Sequence, residues 1–62
     1  MMIKVESKED SKVYTIYVDV EKIEDCCDDN GNWARRLVMA DGNTATYTVC
    51  DWRFMRLEWV SL

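Results

Sequence analysis

The sequence has no histidine and no proline, and its 62 residues include only two glycines and three cysteines. Each shortage removes a class of chemistry. Without histidine the usual general base is missing, so no serine or cysteine hydrolase triad can be assembled. Gly31 and Gly42 stand apart and cannot build a phosphate-cradling loop. The thiols of Cys26, Cys27 and Cys50 would need Asp28 or Asp29 to complete a four-ligand zinc site. Neither a metal nor a cofactor is expected. An odd cysteine count with two adjacent members is a poor disulfide framework. A bridge from Cys50 to Cys26 or Cys27 stays open, but Cys50, in an apolar strand end, reads better as a buried structural thiol.

Long hydrophobic runs are absent too. Nothing approaches a membrane span. Lys4, Glu6, Lys8, Glu9, Asp10 and Lys12 leave no room for the apolar segment of a secretion signal. The expectation is a cytoplasmic protein with reduced thiols. One domain over residues 1–62 is all this length allows, with a small core and correspondingly small stability. Three tryptophans, three tyrosines and one phenylalanine supply much of the apolar volume available to it. At least two of the tryptophans are therefore expected to be mainly buried.

Charge is unevenly placed. The first 31 residues carry nine acids and four bases, the last 31 three acids and four bases: −5 against +1 within a net −4. The densest acidic stretch is Asp19, Glu21, Glu24, Asp25, Asp28 and Asp29, opposed only by Lys22. Its ordinary role is solubility; its sharper role is a contact surface for a basic groove. The mean field disfavours nucleic acid and anionic membranes.

Apolar residues recur mostly every second position, the period of strands. Ile3 and Val5 alternate with Lys4 and Glu6, and Lys8-Glu9-Asp10-Ser11 is a polar break of hairpin length. Residues 13–20 are rich in β-branched and aromatic types. Tyr14, Ile16, Val18 and Val20 form the purer apolar set and are assigned to the core, with Val13 and Tyr17 on the other face. Glu21 to Asp25 reads either as an extension of that strand or as a helical turn. Asp28-Asp29-Asn30-Gly31-Asn32 is a loop. Asp28, Asn30 and Gly31 fail as a calcium loop, because with Gly31 sixth the first position is Cys26 and the twelfth Leu37.

Residues 33–40 and 43–50 make a hairpin around Asp41-Gly42. A three-residue loop pairs Met39 with Asn43, Leu37 with Ala45 and Arg35 with Tyr47. That register sorts Trp33, Leu37, Met39, Ala45, Tyr47 and Val49 from Thr44, Thr46 and Thr48, so it is preferred, with Gly42 left-handed. Asp51-Trp52-Arg53 then forms a corner, and a last strand runs from Phe54 to about Val60, with Met55, Leu57 and Trp59 as its alternating apolar set. The predicted fold is all-β: a five-stranded antiparallel meander curled into a small, partly open barrel that resembles SH3-like barrels in general arrangement. The alternative is an antiparallel sheet with a short helical turn near 21–27.

A chain this small encloses no cleft suited to paired-carboxylate chemistry, and no enzyme is expected. The remaining constellation joins arginine and aromatic groups: Arg35, Arg36, Trp52, Arg53 and Arg56, with Trp33, Tyr47 and Trp59 among them. Such residues are enriched at binding hot spots and in stacking platforms for single strands; within a small domain they also serve as core, with Arg35 stacked on Tyr47. The expected function is a non-catalytic protein-interaction module. Its partner would be larger, with a basic or mixed-charge surface, and the module would block a charged groove, as inhibitors from phages and mobile elements do. The alternatives are a nucleic-acid binder using the Arg/Trp face, and a subunit that self-assembles, for instance as a homodimer through an edge strand such as Met2–Ser7.

Overall fold

The computed structural model describes residues 1–58. The described residues are all-β, with six strands: β1 (Met2–Ser7), β2 (Tyr14–Tyr17), β3 (Val20–Cys27), β4 (Trp33–Met39), β5 (Thr44–Thr48) and β6 (Trp52–Leu57). They form two antiparallel three-stranded sheets, ordered β2-β1-β6 and β3-β4-β5. The expected five-stranded barrel is corrected on two counts. There are six strands, and the sheets do not close. The helical turn does not form either, because residues 20–27 pair with β4 along their length.

The extra strand arises where the alternating segment 13–20 breaks. Val18 and Asp19 leave the first sheet, and the chain re-enters the second at Val20. There the Val20 amide donates to the Met1 carbonyl, the N-terminal ammonium of Met1 donates to the Val20 carbonyl, and the Ala40 amide donates to the Asp19 carbonyl. A bulge between Val20 and Lys22 then shifts the phase, so that Val20 and Ile23 lie opposite Met39 and Leu37 on one face.

The face assigned to the core in residues 14–18 is reversed. β1 pairs Ile3 with Tyr17 and Val5 with Thr15, and Ile3 and Val5 are buried, so Thr15 and Tyr17 share their face; Tyr17 packs on the core, while Thr15, nearer the sheet edge, stays exposed. Tyr14, Ile16 and Val18 are 51%, 44% and 56% exposed; of the predicted set only Val20 is core. β1 dictates this outcome, because its own apolar residues are the odd ones and directly opposed residues share a face. The same rule reorders the last strand. Phe54 opposes Val5 and packs on the core, whereas Met55 and Leu57 oppose Lys4 and Met2 on the outer face. Trp59 and Val60 lie outside the described residues.

The second hairpin has the expected register, including Leu37 with Ala45 and Arg35 with Tyr47. The Met39 amide bonds the Asn43 carbonyl, and the Gly42 amide the Met39 carbonyl. Gly42 has φ +90°, the left-handed region in which a side chain is strained. β1 is the central strand of its sheet, so Met2–Ser7 is no edge; the edges are β2, β6, β3 and β5.

The core is small. Ile3, Val5, Val20 and Leu37 are fully enclosed, ringed by Tyr17, Met39, Tyr47, Trp52 and Phe54. Tyr47 of the second sheet reaches the first at three points. Its ring meets Trp52 edge-on at 5.0 Å, Phe54 at 6.2 Å and Tyr17 at 6.2 Å, and its hydroxyl shares a hydrogen bond with that of Tyr17. The molecule measures 44 × 28 × 14 Å, and the long dimension exceeds the roughly 26 Å of an eight-residue strand, so the sheets overlap only in part.

Two outcomes follow from this packing. Leu37→Ala removes the central side chain of the core and is expected to cost about 3 kcal/mol, read as a sharply lowered urea midpoint; an unchanged midpoint would contradict the packing described. Burial, then the hydrogen bond to Tyr47, push the Tyr17 phenol up to about 12 from 10.0. The folded state thus keeps a proton that the unfolded chain releases near pH 10, so this contribution is intact below that pH and is lost as pH rises toward 12. Phenolate absorbance should show one tyrosine ionising only near pH 12, and that step should vanish in Tyr17→Phe.

Candidate functional site

The acidic stretch does not fold into one acidic surface. Antiparallel pairing of β3 with β4 sets Glu24 opposite Arg36 and Asp25 opposite Arg35. Asp25 pairs with the Arg35 guanidinium at 3.6 Å; Glu24 lies 3.3 Å from Lys22 and 4.0 Å from Arg36. Asp28 serves the loop itself. Its carboxylate accepts the amides of Asn30 at 2.9 Å and Asn32 at 2.8 Å, and its carbonyl accepts the Gly31 amide. Among the described residues Asp19, Glu21 and Asp29 form no ion pair. Asp19 and Glu21 lie at the start of β3, and Asp29 lies beyond its far end.

The arginine and aromatic residues are also divided. Arg35, Trp52 and Arg53 meet around an open groove of about 480 Å³, joined by Lys8, Val49 and Phe54. Arg36 lies apart, beside Cys27, Asp28 and Asp29, and Arg56 near Met1, Val18 and Leu57. Within the groove the Lys8 ammonium donates to the Val49 carbonyl at 2.8 Å. Arg53 bonds Glu6 at 3.1 Å, and Lys4 approaches the same carboxylate at 3.4 Å. Glu6 is only 7% exposed, so two cations balance a carboxylate removed from water. Arg35 lies over Phe54, 5.4 Å from the ring centre, and not on Tyr47, because Tyr47 is directed into the aromatic cluster.

The two described tryptophans differ, and the expectation that at least two of the three are mainly buried turns on Trp59, which lies outside the described residues. Trp33 is 67% exposed and Trp52 only half-buried. Trp33 begins β4, directly after the Asp28–Asn32 loop and opposite Cys27 at the end of β3, past the region where the sheets overlap. A large aromatic is therefore displayed at the end of the Asp28–Asn32 loop. Nothing in the periodicity distinguishes Trp33 from the core set of its strand; only the partial overlap of the sheets leaves it outside.

Cys50 is exposed, contrary to its reading as a buried thiol, because residues 49–51 form the turn between β5 and β6. All three cysteines are free. β4 lies between β3 and β5, so a bridge from Cys50 to Cys26 or Cys27 would have to span two strand spacings, about 10 Å, beyond the reach of a disulfide. No helix among the described residues is long and apolar enough to cross a membrane.

Compared with known protein families, with curated proteins and with solved structures, the chain matches none. The site therefore rests on its own geometry, and the two described tryptophans provide a direct check. A protein with Trp33 as its sole tryptophan should be quenched readily by acrylamide, and one with only Trp52 should be several-fold less accessible; equal quenching would remove the distinction.

Proposed function

We infer that the protein is a non-catalytic interaction module that presents the Asp28–Asn32 loop and Trp33 to a larger protein with a basic or mixed-charge surface. One observation carries this reading: Trp33 is the most exposed large apolar side chain described, and it directly follows the Asp28–Asn32 loop, where Asp29 forms no ion pair among the described residues. An aromatic anchor with adjacent charge is the usual composition of a binding hot spot: the ring supplies contact area, and the charge steers the approach. The loop is also preorganised, since Asp28 already holds the Asn30 and Asn32 amides, so little ordering remains to be done on binding. Occupation of a charged groove on the partner is the proposed mode of action, an inhibitory one.

Nucleic acid is the weaker reading. Arg35, Arg36 and Arg53 each have a carboxylate within 4.0 Å, which leaves no continuous cationic track for a phosphate backbone.

Wild type, Trp33→Ala and Asp29→Lys serve as parallel baits in a host lysate, and a protein retained by wild type alone is taken forward for affinity measurement. Trp33→Ala is expected to weaken binding by roughly tenfold or more while leaving the thermal midpoint nearly unchanged. Binding that survives both substitutions would remove the loop from the contact. DNA and RNA should give no mobility shift even at low salt, where phosphate contacts are strongest.

A further inference from the structure

The four sheet edges are not equally protected. Charged side chains recur along β3 and β6, and β5 is threonine-rich. Residues 13–18, Val-Tyr-Thr-Ile-Tyr-Val, include no charge and no proline, and no bulge interrupts the pairing of β2 with β1. Charges, prolines and bulges are devices by which edge strands avoid pairing with other chains, and β2, at four residues, relies on its shortness instead. β2 is nonetheless an edge: no described strand lies on its other side.

The hydrogen-bond phase shows which groups are available. The Ser7 amide donates to the Val13 carbonyl, so the odd residues of this strand direct their backbone toward β1. The N–H and C=O groups of Tyr14 and Ile16 therefore point out of the open edge. These same residues carry exposed apolar side chains, and Tyr14 is held in place by the Lys4 ammonium, 4.5 Å from its ring centre. An open groove of about 360 Å³ lies beside the edge, lined by Ile16, Tyr17, Val18, Asp19, Met39 and Ala40.

We propose that β2 pairs antiparallel with β2 of a second copy, joining two three-stranded sheets into one of six strands about a two-fold axis at Ile16. Two rules select this geometry. A two-fold axis that makes neighbouring strands antiparallel is normal to the sheet, so it keeps the outer faces on one side and requires opposed residues of equal parity. The free backbone groups belong to even residues, so the hydrogen-bonded pairs are even with even. Centring on Ile16 opposes it to its own symmetry mate and brings Tyr14 alongside Val18 of the second copy, at the bend where that chain leaves its sheet, so the apolar residues exposed on this face meet one another. The flanking charges select a second copy over an unrelated strand. Lys12 precedes the uncharged segment and Asp19 follows it. Reversal of one strand against the other therefore brings the Lys12 end of each copy beside the Asp19 end of its mate. The strand is electrostatically complementary to itself. The pairing is short, so the dimer is weak and sensitive to concentration.

Sedimentation equilibrium up to about 1 mM tests the pairing. Wild type should pass from one chain mass toward two and stop there. Ile16→Lys places like charges face to face at the axis and should raise the dissociation constant roughly tenfold or more, with the far-UV spectrum retained. Lys12→Asp should weaken association, and adding Asp19→Lys should restore it, a rescue that only antiparallel self-pairing predicts. A wild type that stays monomeric up to about 1 mM would overturn the proposal and leave the edge to a strand from another protein. Dimerisation indifferent to Ile16→Lys, or growth past the dimer, would overturn it as well.

Discussion

Tyr47 joins the two sheets at three points beyond their shared aliphatic core. Four aliphatic side chains fill the space between them, and a core of that size contributes little beyond what ordering so short a chain costs. Tyr47 extends the contact by turning its ring edge-on to Trp52 and Phe54 and placing its hydroxyl against Tyr17. Edge-on aromatic pairs add about 0.5–1.5 kcal/mol each beyond area burial, a meaningful share in a domain this small. Because Tyr47 lies in β5 and its neighbours lie in β2 and β6, it links strands that share no ladder. Trp33, outside this cluster, and the outer-face residues of β2 are left in water.

How much of this was legible in the sequence depended on whether the deciding information was local. The register of the β4–β5 hairpin was legible, because Gly42 suits the turn and the threonine alternation favours one pairing. The Asp28–Asn32 loop was equally clear from its side chains. The inward face of β2 was not. Tyr14 to Val20 alternates without interruption, and the pattern contains no sign that the chain changes sheets at Val18. The phase was set by Ile3 and Val5 on a partner strand and by the bulge after Val20, neither of which the segment itself encodes. The exposure of Trp33 was hidden for a related reason, since it depends on how far one sheet covers the other.

Charge shows the same dependence on pairing. The acidic stretch and the arginines look like opposite poles along the chain, yet β3 and β4 bring them together row by row, Glu24 with Arg36 and Asp25 with Arg35. Much of the apparent polarity is spent within the second sheet. What remains for contact is limited to separate places: a tryptophan beside an acidic loop at one end of the second sheet, and an uncharged strand at the border of the first. Separate surfaces allow one chain to meet a partner and its own copy without competition between the two contacts.

The Asp28–Asn32 loop also bears on the chemical lifetime of the protein. Asn30 precedes Gly31, the dipeptide in which the glycine nitrogen most easily attacks the asparagine amide to close a succinimide and release ammonia. In the folded chain that nitrogen donates its hydrogen to the Asp28 carbonyl at 3.0 Å, and Gly31 is fixed at φ +80°. Ring closure must first release both constraints. Ageing at Asn30 is thereby coupled to loop opening, and each deamidated molecule carries one further negative charge, with a lengthened backbone as well in the isoaspartyl product, three residues from Trp33.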